Sequence, residues 1–145
     1  MPTYRERLRP PVSWIVITLA GAVLVAVSFQ QDLALLVGLP LLGLAVLALL
    51  GRDTLRVQDD VLHVPGARAP LSAFGPAEVL DAAQLRERMG IRAQRDAWVR
   101  VKPWARKGVL LPVVDPDDDT PYWLLGTRRP VDLAVAVARF PDAVR

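Results

Sequence analysis

The sequence predicts a membrane α-helical hairpin followed by a small, mainly-β domain that ends in a helix. Three observations carry that expectation. Two apolar runs, residues 12–29 and 33–50, contain no Asp, Glu, Lys or Arg and are separated only by Gln30, Gln31 and Asp32. After Gly51 continuous apolar sequence gives way to short stretches that alternate apolar with polar residues. The last stretch, residues 130–140, returns to helical spacing behind a proline.

At a rise of about 1.5 Å per residue, each apolar run spans roughly 27 Å, close to the thickness of a bilayer's hydrocarbon core. A cleaved secretory leader is disfavoured, because its apolar region runs about 7–15 residues and here a second apolar run follows. Two buried helices of a soluble bundle would need polar faces, which neither run has. Arg5, Arg7 and Arg9 precede the first run, Arg52 and Arg56 follow the second, and the connection carries only Asp32. This asymmetry predicts a multi-pass protein of the plasma membrane with both termini cytoplasmic, Tyr4 and Trp14 lying near the inner interface. Pro40, flanked by Gly38 and Gly43, predicts a kink in the second helix. Thr18 and Ser28, with Ser13 at the mouth of the first run, add little polarity inside the pair, so an anchor is expected rather than a transport path.

The expected domains are therefore residues 1–51, an arm plus hairpin, and residues 52–145, a cytoplasmic domain. Residues 55–57 and 61–64 flank Asp59-Asp60 and predict two strands around a tight turn. Residues 67–71 form a further strand candidate, Phe74-Gly75-Pro76 is punctuation, and residues 77–89 are ambiguous between strand and helix. Residues 98–101, 109–114 and 122–125 read as strands. Pro130 suits a first helical position, and Asp132 in the first turn meets the helix dipole favourably.

Composition narrows the chemistry. Hydrophobic residues make up 52% of 145, and no cysteine occurs, which excludes disulfides, thiolate metal sites and cysteine nucleophiles. His63 is the single histidine, too few to build an imidazole metal site. Asp115, Asp117 and Asp119 have the spacing of a calcium loop, but Thr120 stands where its glycine belongs and Gly126 where its bidentate Glu belongs. No nucleophile with a base, metal cluster or phosphate loop is readable, so no enzyme, cofactor or metal is expected.

The basic segment from Arg86 to Lys107 is the main candidate surface: eight Arg and Lys residues share it with Glu87, Asp96, Trp98 and Trp104. Arg128-Arg129 at the start of the last helix forms a second place for an anion. The candidate contacts are Arg100, Lys102, Arg106, Lys107, Arg128 and Arg129. The expected partners are the lipid bilayer with its anionic headgroups or another membrane protein, and nucleic acid is disfavoured by the same membrane placement. The alternative role is a structural or assembly subunit of a membrane complex.

The order of strands closed by one helix resembles the bacterial pleckstrin-homology-like domains. Particular words of the chain are more specific: Tyr4-Arg5-Glu6-Arg7-Leu8, then Pro11 and Trp14, then Asp115-Pro116 through Thr120-Pro121-Tyr122-Trp123, and Thr127-Arg128-Arg129-Pro130. These resemble the actinobacterial membrane-protein family called domain of unknown function 3093. The resemblance covers nearly the whole chain, with Asp118-Asp119 standing where a second Asp-Pro pair is expected. It implies a location and an architecture but no catalytic residues.

Overall fold

The computed structural model describes residues 4–29 and 33–138. The chain divides into two compact units, one of Arg7–Asp53 and the other of the described parts of Met1–Glu6 and Thr54–Arg145.

The first unit is a pair of helices, α1 (Val12–Ser28) and α2 (Leu33–Leu50), packed on each other. Gly43 permits that approach, because a Cβ there would collide with the Thr18 methyl group. Ahead of α1, the Leu8 N–H donates to the Asp53 carbonyl at 3.0 Å. At the same end of the pair, the Gly51 N–H donates to the Leu47 carbonyl at 2.9 Å and closes the last turn of α2. Large apolar side chains stay exposed along both helices, among them Val16, Ile17, Leu24, Leu41 and Leu42.

Here the structure corrects the sequence expectation. Among the described residues no helix is long and apolar enough to cross a membrane. Phe29, with φ −98° and ψ 38°, leaves helical geometry, so α1 has 17 residues and is shorter than the apolar run. Its length is about 25 Å and that of α2 about 27 Å, both under the roughly 30 Å of a bilayer's hydrocarbon core. The membrane hairpin, the transmembrane assignment, the integral membrane role and the multi-pass plasma-membrane placement with cytoplasmic termini are all overturned on this ground. The expected connection at residues 30–32 lies outside the described residues.

The second unit is built on two four-stranded sheets. One has the order β1 (Tyr4–Arg7), β2 (Thr54–Gln58), β3 (Val61–Val64) and β4 (Ala67–Pro70). Gln58 pairs with Val61, leaving a two-residue turn in which Asp59 and Asp60 take φ of 50° and 61°. These left-handed values match the right-handed twist of the hairpin, and Asp tolerates them better than most residues. Alternation buries Leu55, Val57, Leu62 and Val64 and leaves Arg56 exposed and His63 half-buried.

After a short 3-10 turn at Leu71–Ala73 comes the second sheet, ordered β5 (Glu78–Leu80), β7 (Gly108–Pro112), β8 (Tyr122–Gly126) and β6 (Trp98–Arg100). Every residue of β8 is buried, as suits a central strand. Between β5 and β6 lies α3 (Ala82–Met89), opened by a capping box in which Asp81 accepts from Ala83 and Gln84 while Gln84 returns a bond to the Asp81 N–H. Leu85 of α3 joins Leu80, Leu110, Tyr122 and Leu124 in one core cluster. The last helix, α4 (Pro130–Ala138), packs against β5 and β7 with Leu133, Ala136 and Val137 buried.

This is a second correction. In place of a mainly antiparallel, pleckstrin-homology-like domain closed by one helix, the chain has two sheets, an inserted helix and a parallel pair, β6 with β8 in the register Trp98↔Trp123, Val99↔Leu124 and Arg100↔Leu125. Alternation along a strand fixes which face is buried, but it does not fix which strand lies beside it or in which direction. Phe140, expected on the last helix, lies outside the described residues.

Candidate functional site

At the end of β8 the chain brings together its first and last motifs. Glu6, on the edge strand β1, is 7% exposed, and Thr127, the residue after β8, is 1% exposed. One Glu6 oxygen, Oε2, accepts from the Tyr4 hydroxyl at 2.6 Å and from the Thr127 hydroxyl. The other, Oε1, accepts from the Arg128 N–H at 3.0 Å and lies 3.6 Å from the Arg128 guanidinium Nε. Thr127 Oγ1 also accepts from the Arg129 N–H at 3.0 Å.

A buried carboxylate costs stability unless it is hydrogen-bonded or paired, and each Glu6 oxygen meets that condition. Tyr4 is held neutral: burial, and next the hydrogen bond to the Glu6 carboxylate, push its phenol well above the ordinary tyrosine value. At Thr127-Arg128-Arg129-Pro130, where an anion was expected, Glu6 takes the Arg128 backbone donor while the Arg128 and Arg129 side chains stay exposed. Glu6 occupies donors at the entrance to α4, and Thr127 caps the next one.

Around this closed centre lies the cationic surface. The Thr127 N–H donates to the Lys107 carbonyl at 3.1 Å, and Gly108 pairs with Gly126. Gly126 has no room for a Cβ, which would meet Ala105 Cβ at 2.9 Å and Val101 Cα at 3.2 Å. Backbone contact therefore holds the loop carrying Lys102, Arg106 and Lys107 against the end of β8, beside Arg128 and Arg129. Arg100 ends the adjacent strand β6. All six residues expected as contacts are at one end of one sheet; Lys102 is half-buried and the others are exposed. Among the described residues, Arg106, Lys107 and Arg129 form no ion pair.

The remainder of the basic segment lies elsewhere. Arg88 pairs with Glu78 at 3.3 Å and Arg92 with Glu87 at 2.9 Å, both on or beside α3. Trp98 stacks on the buried Trp123 with ring centroids 4.6 Å apart, and Trp123 meets Phe74 edge-on at 5.1 Å. Trp98 is half-buried, with one face taken up by Trp123. Asp115, Asp117 and Asp119 lie on an exposed loop in which the Asp118 carboxylate accepts the Thr120 N–H at 2.9 Å. Hydrogen bonds from the Thr120 side chain and backbone hold the Asp118 carboxyl below its usual range.

Tyr4 and Glu6 were not singled out by sequence reasoning as site residues, and Thr127 only as part of the expected anion place at Thr127-Arg128-Arg129-Pro130. Their signal was present all the same, since Tyr4-Arg5-Glu6 and Thr127-Arg128-Arg129 are the two most distinctive words of the chain. A family model described as "Protein of unknown function (DUF3093)" matches residues 3–137, which take in both words. The chain belongs to that family. No curated protein and no solved structure matches it. In this DUF3093 chain the matched span therefore takes in both sides of a single hydrogen-bonded cluster.

Proposed function

We propose that the two-sheet unit is a non-enzymatic binding domain for an acidic protein segment, with Arg100, Lys102, Arg106, Lys107, Arg128 and Arg129 as the contact surface. The observation that carries this reading is the convergence of two basic stretches on the end of β8, fixed by the hydrogen bond from Thr127 to the Lys107 carbonyl. Backbone placement of the cations limits the ordering needed on binding, and guanidinium groups suit bidentate contact with carboxylates.

A binding role is favoured over catalysis by the state of the one carboxylate and hydroxyl pairing in the cluster. Glu6 and Thr127 have the atoms of a base and a nucleophile, but both are shut from solvent and spent on internal hydrogen bonds. Protein is favoured over nucleic acid because Trp98 is committed to Trp123, whereas single-strand binding draws on exposed stacking faces.

The test is fluorescence anisotropy of a labelled poly-glutamate peptide titrated with the full chain. Binding should weaken as salt rises and fall by tenfold or more when Arg100, Arg106, Lys107 and Arg129 are all replaced by Gln. Tighter binding to an RNA of equal charge or to anionic vesicles, or affinity that ignores salt, rejects the reading.

A further inference from the structure

We infer that the helix-pair unit carries a groove for a single-chain anionic amphiphile, with the acyl chain against Ile15, Leu44, Leu47 and Ala48 and the phosphate or carboxylate head at Arg7 and Arg9. This site is independent of the acidic-protein surface and lies wholly within Arg7–Asp53. Its volume is 370 Å³, at the lower end of the roughly 300–1,000 Å³ typical of small-molecule clefts, which fits one chain rather than two.

The groove is built by backbone contacts. The Arg9 N–H donates to the Arg7 carbonyl at 2.9 Å, so a tight turn sets these two exposed cations at the lip. Pro10 then leans on Gly51, where a Cβ would come within 2.7 Å of Pro10 Cδ, and this closes the floor. Leu47 is buried, Ile15 and Leu44 are half-buried, and Ala48 is exposed, so the apolar wall grades from the inside to the opening.

Charge fits the assigned head. The lining contains two arginines and no acidic residue. The first turn of α1, which contributes Ile15, has neither an acidic residue nor a side-chain cap, so its amide end adds positive potential. The last carbonyls of α2 would oppose an anion, but those of Leu47 and Leu49 already accept from the Gly51 and Arg52 N–H groups. Apolar wall and cationic lip together select a molecule with both an acyl chain and a negative head.

The experiment is calorimetric titration of the full chain with dodecyl phosphate below its micelle-forming concentration, beside dodecyltrimethylammonium and inorganic phosphate. Dodecyl phosphate should bind at least tenfold more tightly than either control. Arg9→Gln and Ala48→Trp should each weaken it tenfold or more, with amide shifts at Gly51 following the titration in the unmodified chain. Equal binding of the cationic analogue, or unchanged binding in both variants, overturns the inference.

Discussion

Glu6 and Thr127, 121 positions apart in sequence, share a hydrogen bond in which the threonine hydroxyl donates to the carboxylate. That bond, with the two from Tyr4 and Arg128, fastens an edge strand of one sheet to the end of the central strand of the other.

Replacing Glu6 by Ala should therefore destabilise the two-sheet unit strongly. Two hydroxyl donors and one N–H lose a charged acceptor at once, a loss of about 2–4 kcal/mol. Glu6→Gln keeps an acceptor for the Arg128 N–H and should cost about half as much, since the hydroxyls can rotate to suit the amide. Urea unfolding of both variants checks the order, which fails if the two are equally stable.

Alkaline pH should loosen the same cluster through Tyr4. Its ordinary value is 10.0 and the folded value lies above that. A group whose folded value is raised contributes its full stabilisation below the unfolded value and loses it as pH rises through the folded one. Thermal midpoints should not vary with pH on account of Tyr4 near neutrality and should fall as pH climbs past 10. Tyr4→Phe should remove that alkaline sensitivity while lowering neutral stability by about 1 kcal/mol. An identical alkaline decline in both proteins would count against the assignment.

Gly108→Ala should destabilise despite its small size. The added carbon would stand 2.8 Å from the Leu125 carbonyl oxygen and 2.9 Å from a Leu85 methyl. Leu85 can shift, but the β8 backbone cannot, so a loss of about 1–3 kcal/mol is expected. Chemical denaturation measures it directly.

The helix pair should make the full chain self-associate in aqueous buffer, because Leu24, Leu41 and Leu42 are each more than half exposed. Changing these three to Gln should shift sedimentation towards smaller species. An unaltered distribution would show that this surface does not drive association.

Part of this architecture could be read along the chain. The Asp59-Asp60 hairpin, the strand at Tyr122 and the helix opening at Pro130 follow from local turn chemistry and periodicity. The stretch at 77–89 stayed ambiguous, yet Asp81 and Gln84 at capping-box spacing mark where strand gives way to helix. The role of Tyr4-Arg5-Glu6 as an edge strand was hidden, since four residues give too short a pattern to separate a strand from an arm. Pairing partners were hidden as well: nothing local says that Trp98 lies beside Trp123 or that Glu6 would fill the donors of Arg128. The two apolar runs misled on length, since α1 stops at Ser28 with 17 residues and α2 has 18.

The bond between Glu6 and Thr127 also sets an order in time. At about 5–20 residues per second, synthesis separates these two residues by roughly 6–24 s. The β2–β3 hairpin can close on its own within that interval, but the Glu6 carboxylate stays hydrated, without its native donors, until the far end of the second sheet has been made. The bonds of that cluster are thus among the last to form, and mutations at Tyr4 or Glu6 are expected to speed unfolding more than they slow folding.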